Sequence, residues 1–252
     1  MGIKGLEAWL ADNGAASANL VVLAPGAELL IDGNGLAWQL LLARGHVQQP
    51  EVRLGDYAAF DAAVVAALRT LRTAGLAVTV FIDGRATRLK STTLEHRHRQ
   101  RVDGWEKLQA ACLDGRGSAA LELLPEPPMM LQQFTSSVAA AGVPLVQCRG
   151  EADPDIAARC AATNRAGGTS YILADDTDFC LYAEVRYVPF DQLTFSACGA
   201  TEAPWPLHQP PPPSAAGRPL LATGRAWTRR ALAELAALPE HDLRWCKRYC
   251  KN

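Results

Sequence analysis

The sequence predicts an α/β protein in which helices cover both faces of a central, mainly parallel, twisted sheet. Short apolar runs alternate along the chain with longer segments whose apolar residues recur at helical spacing. Four of these runs lead into acidic residues, and two of them end in the same pair, Asp-Gly, at Asp32 and Asp83. Because parallel strands align their carboxyl ends, the acids should meet at the sheet edge where open α/β sheets bind ligands.

The strands are identified as short apolar runs, often β-branched, that stop at Gly, Asp or Pro. The first strand follows a turn at residues 24–26, and the third leads into Glu151. The predicted strands cover residues 28–33, 77–84, 142–147 and 171–174, with two more near 181–188.

The helices are identified by apolar residues three and four positions apart and by their stop signals. Gly75 ends one helix, and Gly167 ends another that begins with Pro154 in its first turn. The predicted helices cover residues 3–10, 36–42, 57–73, 130–140, the segment from 153 to 166, and 226–238.

Length and composition limit the class of protein. The chain has 252 residues, 49% hydrophobic and 20% charged, with a net charge of −1. A sizeable core is therefore expected, and nucleic acid could bind only through local basic patches. No apolar run reaches the roughly 20 residues of a membrane span, and the start lacks the apolar region of a signal peptide. Seven cysteines without a Cys-x-x-Cys pair indicate reduced thiols of an intracellular protein and argue against a zinc site.

The character of the chain changes near residue 199. Residues 1–198 are predicted to form the α/β domain. Residues 199–224 include the run Pro210-Pro211-Pro212-Pro213 and are predicted to be a linker or loop. Residues 225–252 are predicted to be a helical, basic segment, and the chain could be truncated there.

Six acids share a position at a strand end or in the loop and helix start that follow it. They are Asp32, Asp83, Glu151, Asp153, Asp176 and Asp178. Carboxylates this close repel each other unless a cation lies between them. Oxygen ligands favour Mg²⁺ or Mn²⁺, and a cluster of this size suits two ions about 3.5 to 4 Å apart, the arrangement that cleaves phosphodiesters. The alternative for each acid alone is a helix cap or a turn residue.

The densest basic stretch, residues 85–101, follows the second strand and is predicted to be helical. A charge run of this kind is ordinarily a solvated helix face. Its position directly after the Asp83 carboxylate favours a role in binding phosphate groups instead.

These motifs together resemble the XPG/flap-endonuclease-like nuclease superfamily, which has a PIN-like fold. The first six residues, Met-Gly-Ile-Lys-Gly-Leu, are similar to its N-terminal signature, and the runs ending at Asp32 and Asp83 are similar to its first two metal-binding strands. Glu151-Ala-Asp153 stands where the family has Glu-Ala-Glu, and Asp176-Thr-Asp178 where it has Asp-x-Asp. The sequence around both acidic clusters resembles the asteroid branch more closely than the flap endonucleases proper. The resemblance covers about residues 1–195.

The resemblance implies a metal-dependent, structure-specific nuclease that acts on DNA in repair and is located in the nucleus. It implies that Lys90 and Arg97 contact the scissile phosphate and that the free amine of Gly2 lies near the active site. It also implies that Trp38 stacks on a terminal base, with a place in the core as the alternative. Three further basic residues are assigned to nucleic-acid binding: Arg88, Arg99 and Arg101.

The sequence departs from the family pattern after Asp178. Neither the Gly-x-Asp motif that supplies a seventh carboxylate nor the helix-hairpin element that grips duplex DNA is found. Asp242 is the only late candidate for that carboxylate. Three functions therefore stay open: the nuclease, with DNA or RNA as substrate; a non-catalytic PIN-like module that binds nucleic acid or a protein; and a small-phosphoester hydrolase, which the size of the basic stretch disfavours.

Overall fold

The computed structural model describes residues 19–43, 55–86, 91–115, 127, 129–197, 203–204 and 220–231. The strands in these ranges are β1 (Asn19–Leu23), β2 (Glu28–Asp32), β3 (Ala77–Ile82), β4 (Leu145–Gln147), β5 (Ser170–Ala174), β6 (Tyr187–Pro189), β7 (Leu193–Ala197), β8 (Ala203–Pro204) and β9 (Leu220–Ala226). The α-helices are α1 (Gly33–Ala43), α2 (Ala58–Thr73), α3 (Ser91–Leu113), α4 (Met130–Ala140) and α5 (Ala152–Arg165). Two 3-10 helices span Thr177–Leu181 and Phe190–Gln192.

The central sheet contains five parallel strands in the order β4-β3-β2-β5-β6. In the pairing of β2 with β3, Glu28 lies opposite Ala77 and Asp32 lies opposite Phe81. The two strands therefore end side by side, which places their terminal acids at the same edge. The predicted fold class, a mainly parallel sheet between helices, is confirmed.

Alternate side chains of β2 enter two separate hydrophobic cores. Leu29 and Ile31 pack in the core that contains Phe60 of α2 and Phe134 of α4. Leu30 packs in the core that contains Ile156 of α5. A strand buried on both faces must be apolar at every central position, which explains the continuous apolar runs of the sequence.

The glycines of the two Asp-Gly pairs are required by close approach of other segments. A Cβ at Gly33 would lie 2.5 Å from Cδ1 of Ile82 and 2.7 Å from the carbonyl oxygen of Phe81. A Cβ at Gly84 would overlap the carbonyl oxygen of Cys148. Each glycine thus lets the chain turn beside its neighbour directly after the acid, and this packing explains why Asp-Gly occurs twice.

A second, antiparallel sheet of order β1-β9-β7-β8 was not predicted from the sequence. It includes residues 203–204 and 220–224 of the expected linker 199–224. The last strand continues to Ala226, where a helix was expected to begin. β9 alternates buried Ala222, Gly224 and Ala226 with more exposed residues, so small side chains concealed its strand pattern. The proline run lies outside the described residues, and the division into domains stays a prediction.

The remaining described elements differ from the sequence predictions in two places. The helix expected within residues 85–101 begins at Ser91 and continues to Leu113. Leu181 ends a 3-10 helix instead of lying in a strand, because the Asp176 side chain accepts a hydrogen bond from the Asp178 N–H and starts a turn there. The predicted helix at residues 3–10 lies outside the described residues. None of the described helices combines the length and apolar character needed to cross a membrane.

Candidate active site

Asp32 is the last residue of β2 and lies at the start of α1. Its Oδ1 accepts a hydrogen bond from the backbone N–H of Asn34 at 3.1 Å, and the Gly35 backbone N–H also donates to it. A Cβ at Gly35 would lie 2.5 Å from Oδ2 of Asp32, so the glycine leaves room for the carboxylate. Among the described residues, no basic side chain forms an ion pair with Asp32.

The environment of Asp32 opposes its negative charge. Burial raises the pKa of this carboxyl from the ordinary 3.8 to about 7, and the charges of Asp153 and Asp83 also raise it. The two backbone N–H groups lower the pKa but do not offset the burial. A half-buried carboxylate near two others is the electrostatic situation that a bound cation would relieve.

Asp83 follows β3 and is held through three of its polar groups. Its backbone N–H donates to Oδ1 of Asn34 at 3.0 Å, and its carbonyl oxygen accepts from Nε2 of Gln147 at 2.5 Å. Its Oδ1 accepts from the backbone N–H of Ala152, the first residue of α5, at 2.8 Å. The exposed Asp83 carboxylate is therefore directed at the N-terminus of α5.

Glu151 and Asp153 flank the start of the same helix. Glu151 is the N-cap residue in extended conformation, and its side chain makes no capping hydrogen bond. Asp153 lies in the first turn, where the helix dipole favours negative charge. Both side chains are half-buried.

Asp176 and Asp178 follow β5 at the same edge of the sheet. Oδ1 of Asp176 accepts from the Asp178 N–H at 2.9 Å, and both side chains are half-buried. The neighbouring Asp175, which was not assigned to the site, accepts a hydrogen bond from Nε2 of Gln39 on α1.

The structure relates three of the predicted ligands to one another through their charges. Asp32, Asp83 and Asp153 lie near enough for the latter two charges to raise the pKa of the first. Across the described ranges, however, no three His, Cys, Asp or Glu side chains are grouped so that they could hold one metal ion. Three of the six acids, Asp32, Asp83 and Asp176, have the capping role that was the alternative interpretation.

The basic residues predicted to bind nucleic acid are partly described. Arg97, Arg99 and Arg101 are exposed on the first half of α3. Trp38 on α1 is 37% exposed, which leaves part of its ring accessible and disagrees with a place in the core. Three predicted site residues lie outside the described residues: Gly2, Arg88 and Lys90.

Sequence reasoning missed two amides that hold the Asp83 backbone. Asn34 and Gln147 contact its N–H and its carbonyl oxygen, respectively. Asn34 directly follows the first Asp-Gly pair. A polar residue at a helix start next to Asp32 was the sequence feature that could have indicated its role. Gln147 ends β4 and carried no signal of its own.

The opposite edge of the sheet shows how the chain treats an acid that has only a structural role. Glu28, at the start of β2, pairs with Arg159 at 2.8 Å. It also accepts hydrogen bonds from the hydroxyls of Thr163 at 3.0 Å and Ser170 at 2.8 Å. One strand therefore carries an ion-paired acid at its amino end and, in the described structure, an acid without an ion pair at its carboxyl end.

Comparison with known proteins gives two findings. Protein asteroid of Drosophila melanogaster is 27% identical over 198 residues, which is 77% of this chain and 21% of the relative. The catalytic core of Rad2 in complex with DNA substrate superposes with a TM-score of 0.50 at 14% identity, covering 96% of this chain and 58% of that one. The chain has an XPG-like PIN fold. No family model matches it.

The shared fold includes the parallel sheet at whose carboxyl edge Asp32 lies. The chain spans about a fifth of the length of asteroid, 21%, and 58% of the Rad2 core. At this level of identity the likeness shows a nuclease-type fold, and the activity of the chain is a matter for proposal.

Proposed function

We propose that the chain is a metal-dependent, structure-specific nuclease that hydrolyses phosphodiester bonds of DNA at flaps, overhangs or junctions. The observation that carries the proposal is the Asp32 carboxyl at the carboxyl edge of the sheet, whose pKa is raised by burial and by the negative charges of Asp153 and Asp83. The catalytic core of Rad2, which this fold resembles, is in complex with a DNA substrate, and this supports DNA as the substrate. On this proposal the chain acts in DNA repair in the nucleus.

The donor chemistry of the site fits a hard divalent cation. All six predicted ligands are carboxylates, which suit Mg²⁺ or Mn²⁺, and the half-buried Asp32 has a raised pKa and, among the described residues, no basic partner. On the proposal, Asp32, Asp83, Glu151, Asp153, Asp176 and Asp178 hold two such ions, directly or through water. Bound ions of this kind activate water and stabilise a leaving oxygen.

Basic residues of α3 and of the segment before it, together with Gly2 and Trp38, would supply the substrate contacts. On the proposal, Arg97 and Lys90, which precedes it in the chain, neutralise charge on the oxygens of the scissile phosphate, and the amine of Gly2 acts at the same site. Lys90 and Gly2 fall outside the described residues. Arg88, Arg99 and Arg101 bind the phosphate backbone, and the exposed part of Trp38 offers a stacking surface for a base. These contacts favour a nucleic acid over a small phosphoester, because the basic surface exceeds what one phosphate requires.

A labelled flap DNA incubated with Mg²⁺ tests the proposal. We expect cleavage by the wild-type protein and a loss of at least about 100-fold in the Asp176→Ala variant, since removing a metal ligand removes the ion's contribution to the reaction. An unlabelled RNA of the same structure, added as competitor, separates DNA from RNA as the preferred substrate. A wild-type protein as inert as Asp176→Ala would refute the nuclease.

A second function is favoured by one observation. Among the described residues no three potential ligands are grouped for a single ion, and three of the six acids cap helices or turns. In a non-catalytic PIN-like module that binds nucleic acid or a protein partner, these acids would need only their capping roles and would not need to bind metal. Nucleic-acid binding that is unchanged by Mn²⁺, with no Mn²⁺ bound by the protein, would favour the module.

A further inference from the structure

Asn34 lies between the two segments that carry Asp32 and Asp83. Its backbone N–H donates to Oδ1 of Asp32 at 3.1 Å. Its side-chain Oδ1 accepts from the backbone N–H of Asp83 at 3.0 Å. One half-buried residue in the first turn of α1 therefore links the carboxylate at the end of β2 to the backbone of the acid that follows β3.

The three contacts of Asp83 have different origins. Gln147 comes from β4 and holds its carbonyl oxygen, and Ala152 comes from α5 and holds its carboxylate. Only the Asn34 contact comes from the helix that Asp32 caps. Among the described hydrogen bonds, this contact is thus the one that relates the two acids directly, and neither neighbouring strand pairing reaches Asp83.

We propose that Asn34 is a positioning residue that fixes the Asp83 carboxylate relative to that of Asp32. The proposal rests on the proposed function, in which both carboxylates hold metal. Without the Asn34 oxygen the Asp83 N–H would turn to water, and the Asp83 segment would keep only its contacts to β4 and α5. Removing a residue that orients a metal-binding carboxylate typically lowers the metal affinity about 10- to 100-fold.

Two variants separate positioning from general stability. Asn34→Ala removes the acceptor, whereas Asn34→Asp keeps an acceptor oxygen at the same place. Gln133→Ala is a matched control, because the Gln133 amide makes one hydrogen bond of 2.7 Å to Asp61 between α2 and α4, away from this edge. Any change shared with Gln133→Ala reflects the loss of a side-chain amide and not the position of Asp83.

The experiment measures two quantities in each variant: hydrogen exchange of the Asp83 amide in EDTA and Mn²⁺ affinity by calorimetry. We expect Asn34→Ala to exchange the Asp83 amide at least about tenfold faster and to bind Mn²⁺ about 10- to 100-fold more weakly. Asn34→Asp should keep slow exchange and bind Mn²⁺ at least as tightly as the wild type. Gln133→Ala should match the wild type in both measurements.

The outcomes distinguish the two proposals. If Asn34→Ala binds Mn²⁺ as tightly as the wild type, or leaves Asp83 exchange unchanged, the positioning role is refuted and the nuclease stands. If the wild-type protein binds no Mn²⁺, the metal-dependent function is refuted, and the positioning role falls with it.

Discussion

The Asp83 carboxylate accepts a hydrogen bond at 2.8 Å from the backbone N–H of Ala152, the first residue of α5. The N-cap residue of that helix, Glu151, makes no such bond with its own side chain. The acid that follows β3 therefore caps α5, a helix that comes after β4 in the sequence. Asp83 thus combines a structural role with its proposed role as a metal ligand.

The two roles of Asp83 can be separated by substitution. Asp83→Ala removes the cap, and we expect a loss of about 1 kcal/mol in the free energy of unfolding. Asp83→Asn keeps the Oδ1 acceptor and should be within about 0.5 kcal/mol of the wild type, while losing the charge that a metal requires. Urea denaturation in EDTA measures the difference. Equal destabilisation by both variants would contradict the capping role.

Asp32 should make the stability of the metal-free protein depend on pH. Its pKa in the folded state, about 7, lies above the ordinary 3.8, so the folded state binds the proton more tightly than the unfolded state. The stabilisation is fully present below about pH 4 and is lost as the pH rises through 7. Asp32→Asn removes this dependence.

We therefore expect Asp32→Asn to be more stable than the wild type at pH 8 and the advantage to shrink towards pH 4. We expect the variant's free energy of unfolding at pH 8 to exceed that of the wild type by about 2 kcal/mol. Each pKa unit corresponds to about 1.4 kcal/mol, and water that reaches the half-buried side chain reduces the total. Urea denaturation in EDTA at both pH values measures it. A wild-type protein that gains stability relative to the variant between pH 4 and pH 8 would have the wrong sign.

The second Asp-Gly pair should tolerate no side chain at the glycine. Gly84→Ala forces a Cβ into the Cys148 carbonyl, and we expect a loss of at least about 2 kcal/mol from overpacking. Gly150→Ala is the control, because a Cβ there meets nothing within 4 Å. Thermal unfolding of the pair gives the comparison, and similar melting temperatures would show that the loop can move aside.

The exposed arginines of α3 should act through the charge of nucleic acid. Arg97→Ala is expected to weaken binding of a single-strand flap in EDTA and to reduce the slope of log K against log salt by about 0.7. Arg69→Ala removes an exposed arginine from α2, on the helix that packs over the sheet, and should leave the slope unchanged. Fluorescence anisotropy across a salt series measures both. An equal change of the salt slope in the two variants would contradict a specific role of α3 in binding nucleic acid.

Much of the fold follows from local sequence patterns. The strands of the central sheet are buried on both faces, so their residues are continuously apolar and stop at acids and glycines. β9 could not be predicted in this way, because its buried residues Ala222, Gly224 and Ala226 present little apolar surface. The strands that pair with it, β1 and β7, are also distant in the chain. Pairing over such a distance leaves no periodic signal within the strand itself.

The candidate site was predictable as a set of acids but not as a geometry. The sequence indicates that Asp32 and Asp83 share an edge, because parallel strands end together. It does not indicate that Asp83 would reach the start of α5 or that Asn34 would hold its backbone, since both contacts depend on how loops cross between strands. Roles of Lys90 and Gly2 stay predictions.

The measurement that tests the central claim most directly is the number of Mn²⁺ ions bound, determined by calorimetric titration. Asp32 and Glu28 lie at opposite ends of the same strand, and of these two acids Glu28 alone pairs with a basic side chain of the described residues. We expect about two Mn²⁺ ions per chain in the wild type and in Glu28→Gln, and markedly weaker binding in Asp32→Asn. Absence of Mn²⁺ binding in the wild type, or equal binding by all three proteins, would contradict a metal site at this edge of the sheet.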